Sequence, residues 1–250
     1  MQDEKLPQGE IKLNTPFLKK VENFFYHYKW HTIIGVFLAV VLLICSLQFC
    51  SKEAYDIEIM YAGPCDVTAQ RKYDIESAFA LVTPDTDENG KGQARLTQYW
   101  VNEKYYGGAN AKDEAISGAD VGYLANQSLT NQDKYIDEIM LGNVSICLVS
   151  PHLFELAQKE GAFMRIDELL PDLSADLYYT NEEGAINPCG VLVTKTAFGK
   201  LAGLSALPDD TILCLRKPAY HLMNASRAEK QHARAKAVFL GALQFTLSEE

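Results

Sequence analysis

The sequence predicts an α/β exterior domain with a mostly parallel sheet, preceded by one transmembrane helix. Three observations predict this. A 19-residue run without a charge, Thr32 to Cys50, lies near the N-terminus. Beyond it, short apolar segments bounded by Gly, Pro and Asn alternate with segments whose apolar residues recur at helical spacing, the pattern of strands joined by crossover helices. The part after residue 50 is acidic, with 18 Lys and Arg against 29 Asp and Glu, a net charge of −11. That balance suits a solvated domain and argues against nucleic acid or an anionic lipid surface as partners.

The uncharged run spans most of a hydrocarbon core of roughly 30 Å at about 1.5 Å per residue. A soluble helix of that length would show a polar face, and this one shows none. Cleavage as a signal peptide is not expected: the leader before the run is long and no small-x-small site follows Ser46-Leu-Gln-Phe-Cys50. Cys45 follows Ile44 and Cys50 follows Phe49, neither suited to lipid modification. Lys5, Lys12, Lys19, Lys20 and Lys29 precede the run, whereas Glu53, Asp56 and Glu58 follow it. The positive-inside rule then gives a cytoplasmic tail over 1–31, a membrane helix over 32–50 and an extracytoplasmic domain over 51–250. Tyr26, Tyr28 and Trp30 fall where an interfacial aromatic belt would sit.

In the exterior part, residues 55–62 alternate polar and apolar and predict a first strand, closed by Gly63-Pro64. A helix over 72–82, ended by Pro84, and a strand over 93–101 follow. Residues 105–125 carry no clear period. A helix over 131–141 leads to Val144-Ser-Ile-Cys-Leu-Val149, an apolar run of the kind buried on both faces. Ser150-Pro151 opens the next helix, with Ser as N-cap and Pro at the first helical position. Further strands are expected over 186–194 and 211–215, a short helix over 196–201, and a last helix over 225–247 with Ala235, Val238, Phe239 and Ala242 inward.

The segment from Val144 through Ser150-Pro-His152 and Gly161 to Leu169-Leu170 resembles the extracellular solute-binding proteins of bacterial ABC importers. Residues 55–62 are similar to that family's first strand. The loop Pro84-Asp-Thr-Asp-Glu-Asn-Gly-Lys91 is similar to one after its first helix, and residues 187–194 to the strand returning through its hinge. The resemblance implies a type II periplasmic-binding-protein-like domain, here reduced and membrane-anchored. It further implies transport, with a small-molecule solute as ligand and a permease as partner. The other reading is a structural or interaction module of a cell-envelope complex without a small ligand.

In an open α/β sheet, ligands bind outside the carboxyl ends of strands where the chain order reverses. That rule selects Gly63 and Pro64 after the first strand, Ser150 and Pro151 after the central strand, and Asn187 near the returning strand. Gly63 lets a ligand approach the backbone, Ser150 heads a helix whose free N–H groups suit an anion, and Asn187 offers both donor and acceptor. Tyr61 and Tyr99 are candidates to stack on a ligand, with strand-core packing as the plainer reading. The loop Asp85-x-Asp87-x-Asn89-Gly90 places oxygens at positions 1, 3 and 5 and glycine at 6, as in a calcium loop. Position 12 is Leu96, so the closing carboxylate is missing and only weak calcium binding is expected. A solvated Asp/Asn/Gly turn accounts for the same residues. No cofactor beyond such calcium is expected.

Cys65, Cys147, Cys189 and Cys214 have no C-x-x-C spacing, and His221 and His232 no metal-spaced partner. No nucleophile-elbow, zinc-hydrolase or phosphate-loop motif occurs, so the chain is not read as an enzyme. Glu182-Glu183 and Asp209-Asp210 fall in turns and read as solvated surface.

Overall fold

The structure, a computed structural model, describes residues 16–50, 55–86, 90–106, 118–142, 144–218 and 225–246. The chain divides into two compact units, Met1–Ala54 and Tyr55–Glu250.

The described residues of the first unit form one helix, α1 (Pro16–Cys50), whose backbone leaves helical geometry at Tyr28 (φ −115°, ψ 18°). Within it Tyr28–Ser46 is long and apolar enough to cross a membrane. That stretch begins four residues earlier than the uncharged run because it admits the aromatic residues around Lys29. Its apolar side chains are exposed, Phe37 at 64 % and Leu42 at 66 %.

The second unit is built on a six-stranded sheet in the order β2-β1-β3-β6-β5-β4. The strands are β1 (Ile57–Gly63), β2 (Ala94–Trp100), β3 (Ile146–Val149), β4 (Tyr178–Thr180), β5 (Ile186–Leu192) and β6 (Ile212–Leu215). β1 pairs parallel with β2 and with β3. β6 then enters antiparallel between β3 and β5, and β4 pairs antiparallel with β5. The sheet is therefore mixed. Four strands point one way, but the expectation of parallel pairing holds only in the β2-β1-β3 half.

The reason lies in the connections. β1 reaches β2 through α2 (Ala69–Ala80), and the chain returns from β2 to β3 through α3 (Gly118–Leu141). These are the long crossovers that parallel strands need. From β5 to β6 the chain has only three-residue 3-10 turns at Val193–Lys195, Phe198–Lys200 and Leu204–Ala206. The helix expected over 196–201 is thus a single tight turn, Phe198–Lys200, and without a crossover helix β6 runs back beside β5.

β1→β2 and β2→β3 step in opposite directions along the sheet. Right-handed crossovers then put α2 and α3 on opposite faces. Two apolar cores follow. On one face Ile59, Tyr61, Ile146, Leu148 and Leu213 pack with Ile75 and Phe79 of α2 and with Ala235, Val238 and Phe239 of α5 (Ala225–Leu243). On the other, Met60, Ala62, Cys147, Val149 and Cys214 pack with Tyr135 and Ile139 of α3 and with Leu153 and Phe154 of α4 (Pro151–Lys159). β3 is fully buried on both faces, as its unbroken apolar run predicts.

Boundaries differ in informative ways. α2 starts at Ala69 because Thr68 caps it, accepting from the Arg71 amide at 3.4 Å. The unassigned stretch before residue 126 supplies the first two turns of the 24-residue α3. Residues 163–167 contribute a single bridge, Phe163 to Arg216. Arg216 is buried, and its guanidinium donates to the carbonyls of Val144 (2.8 Å) and Gly142 (2.9 Å), pinning the turn that feeds β3.

Candidate functional site

Because β1, β2 and β3 are parallel, their carboxyl ends lie together. Ala62 is in register with Val149. The Ser150 amide donates to the Ala62 carbonyl at 3.0 Å, and the Val101 amide to the Gly63 carbonyl at 2.9 Å. Gly63 and Ser150 are thus neighbours on adjacent strands, about 5 Å apart across the ladder. The order reversal between β1 and β3 makes this end a topological switch point.

A cleft of about 730 Å³ opens there. Pro64 lines it after β1, Asn102 and Glu103 after β2, and Ser150, Pro151, His152 and Glu155 after β3. Residues 179–183 and Asp210 close the remaining side. Its size falls within the range of small-molecule sites.

Each wall is held by the local fold. Ser150 has the extended backbone of an N-cap (φ −69°, ψ 158°), and its carbonyl accepts from Phe154 at 2.9 Å. Its side chain makes no capping bond; the residue is 8 % exposed, and its hydroxyl has no hydrogen-bond partner among the described residues. The first turn of α4 is fixed from below by the buried Tyr135, whose hydroxyl donates to the Leu153 carbonyl at 3.1 Å. Ser128, buried on α3, accepts from the Asn102 amide at 2.8 Å and so sets the loop after β2. His152 Nε2 lies 3.3 Å from Gln132 Oε1, which also accepts from the Tyr106 hydroxyl at 2.6 Å. His152 Nδ1 lies 3.6 Å from a Glu103 carboxylate oxygen, an ion pair whenever the ring is protonated. The Tyr179 hydroxyl donates to Glu155 at 3.0 Å. Burial, that bond and the charges of Glu155, Glu182 and Asp210 push the Tyr179 hydroxyl up to about 12.

The expected site residues are placed as follows. Pro64, Ser150 and Pro151 line the cleft, and Gly63 lies directly behind it. Asn187 does not belong to it. Asn187 lines a second cleft of about 420 Å³ with Gln158, Arg165, Cys189 and Lys217, and its side-chain oxygen accepts from the Cys189 amide at 3.1 Å. β5 runs in the direction of β3, so Asn187 stands at its amino end beside Tyr179, and the two clefts share Asn181 in their linings. Neither candidate tyrosine stacks in the cleft. Tyr61 is 1 % exposed, its ring packs under Gly63, and its hydroxyl accepts from the Cys65 amide at 3.1 Å. A Cβ on residue 63 would meet that hydroxyl at 2.8 Å, so glycine stands there to clear Tyr61. Tyr99 packs at the margin of the α3–α4 core. Sequence reasoning missed Glu103, Glu155 and Tyr179, which are far apart in the chain and meet only through the sheet order.

Of the calcium loop, Asp87 and Asn89 lie outside the described residues. Asp85 accepts from the Gly90 amide at 2.7 Å, a turn-closing bond, and Gly90 has φ 86°. Among the described residues no three His, Cys, Asp or Glu side chains gather closely enough to hold a metal ion. The loop is anchored by Asp56, which accepts from the Thr86 amide (3.0 Å), the Thr86 hydroxyl and the Gln93 amide (2.9 Å). Burial raises the Asp56 carboxyl, but the bonds from Thr86 and Gln93 outweigh it, and the net shift is downward. A carboxyl lowered on folding adds stability above its ordinary value near 3.9, and that stability is lost as pH falls through the lowered value. Thermal melts should therefore separate wild type from Asp56→Asn at pH 7, with the variant less stable, and the two should converge as pH falls below the ordinary carboxylate range.

No protein-family model, no curated protein and no solved structure matches the chain. The resemblance to solute-binding proteins rests on the quoted sequence motifs alone.

Proposed function

We propose that the α/β unit is a solute-binding domain, reduced from the form found in ABC importers and held outside the cell by α1 with its N-terminus in the cytoplasm. Its task is capture of a small molecule for a permease, with no chemical step assigned. The observation that carries this reading is the cleft of about 730 Å³ at the meeting point of three loops that leave parallel strands, which Ser150 lines with a hydroxyl that makes no capping bond. A hydroxyl that faces a cleft without an internal partner can exchange its bonds to water for bonds to a ligand.

The test is a panel of sugars, amino acids, amines and carboxylates screened for a rise in melting temperature of the full chain in detergent. A ligand at 100 times its dissociation constant stabilises by about 2.7 kcal/mol, a readily measured shift. The shift should shrink in Ser150→Ala, which removes the hydroxyl and adds no bulk. A panel that shifts nothing would favour the interaction module instead. The exposed Leu129 and Met140 of α3 suit that second reading, since eleven residues at about 100° each bring them to one helical face.

A further inference from the structure

The fourteen residues that line the switch-point cleft include five carboxylates, Glu103, Glu155, Glu182, Glu183 and Asp210, and no Lys or Arg. They come from four places in the fold: the loop after β2, helix α4, the β4–β5 turn and the turn before β6. The acidity is local. The cleft around Asn187 has Arg165 and Lys217 in its lining and no carboxylate. An anion offered to the N-terminus of α4 would meet the helix dipole, equivalent to about half a charge, but also five negative side chains. A cation is therefore the favoured guest.

An inorganic ion does not fit that lining. Hard cations gather six or more oxygens at about 2–2.6 Å, whereas these carboxylates do not converge and no metal-holding group forms among the described residues. Carboxylates spread around a cavity of about 730 Å³ match a molecule whose positive charges are themselves spread out. Two further features suit such a guest. Ser150 presents an unengaged hydroxyl oxygen that accepts an N–H. Tyr179 offers a ring in the same lining, and ammonium groups favour an aromatic face.

We propose that the cleft binds an aliphatic amine carrying two or more ammonium groups, its charges met by Glu103, Glu182, Glu183 and Asp210 and one N–H donated to the Ser150 hydroxyl. The assignment rests on the solute-binding reading and deepens it. Glu155 is already engaged by Tyr179 and orients that ring. His152 stands against Glu103 and shares that carboxylate with the guest.

The experiment is calorimetry of the full chain in detergent with spermidine, beside calcium chloride and glutamate. Spermidine should bind at one saturable site. Affinity should fall about tenfold in Glu182→Gln/Asp210→Asn and be reduced in Ser150→Ala. It should be unchanged in Glu168→Gln, an exposed acid outside the cleft. Both cleft acids are exposed, and the melting temperature of the unliganded variant shows whether it is folded. The single Asp210→Asn change serves if the pair is not. Absence of saturable heat with spermidine, equal affinity in the cleft variants, or equal response to calcium overturns the amine assignment. If spermidine is silent while another solute stabilises the chain through Ser150, only the amine class fails. If nothing acts through Ser150, the solute-binding reading fails with it.

Discussion

Phe154→Ala is expected to destabilise the α/β unit by about 3–5 kcal/mol, the range for emptying a buried aromatic site. Phe154 is fully buried on α4. Its ring lies parallel to that of Phe163 at 5.3 Å and edge-on to that of Tyr179 at 5.4 Å. Truncation removes both contacts and the packing of α4 on the sheet. For a unit of this size the melting temperature should drop by roughly 10 °C. The effect should not stop at stability. Ser150, Pro151 and His152 form the start of α4, and Tyr179 leans on the same ring, so two walls of the cleft loosen together. Urea melts measure the first effect, and the solute-dependent shift in melting temperature measures the second. A loss below about 1 kcal/mol would mean that α4 is held chiefly by other contacts.

The second large effect is at the residue facing that ring. A Cβ at Gly190 would lie 2.5 Å from Ile212 Cγ2 and 2.9 Å from Phe154 Cε2. Gly190→Val should therefore cost about 3 kcal/mol, the upper end for overpacking a core. The two positions touch, so their effects should not add. In Phe154→Leu the smaller side chain gives up part of the space, and the added cost of Gly190→Ala should fall. The Ile212 contact remains, so it should not vanish. Equal costs in both backgrounds would place the strain on β6 alone.

Much of the architecture could be read from residues. The apolar run Val144–Val149 announces a central strand, Ser150-Pro151 a helix start, and Gly63-Pro64 a strand end. These were enough to bring Pro64, Ser150 and Pro151 to one place, because parallel neighbours share a carboxyl end. What could not be read is equally specific. β4 is three residues long, Tyr178–Thr180, too short for a period-two pattern to register. β6 looks like any buried strand, and its direction depends on what precedes it. The 3-10 turns between Val193 and Ala206 contain apolar residues at near-helical spacing, and the short helix expected over 196–201 is only a 3-10 turn at Phe198–Lys200. The acidic lining was illegible for another reason. Glu182-Glu183 and Asp210 are exposed turn residues, as expected, and nothing local marks them as facing Glu103 across a cleft.

The inserted β6 also dictates an order of assembly. β3 is complete once the ribosome has passed residue 149, and β1 is already available to pair with one of its edges. Its other edge stays open until residues 212–215 arrive, more than sixty residues later. Through that interval an entirely apolar strand presents unpaired N–H and C=O groups, the template on which chains join edge to edge. Pairing across so long a separation is intrinsically slow. A nascent chain stalled anywhere between β4 and β6 is thus a sticky intermediate. Export across a membrane before folding, with α1 leading, would keep that edge away from other copies until its late partner has been delivered.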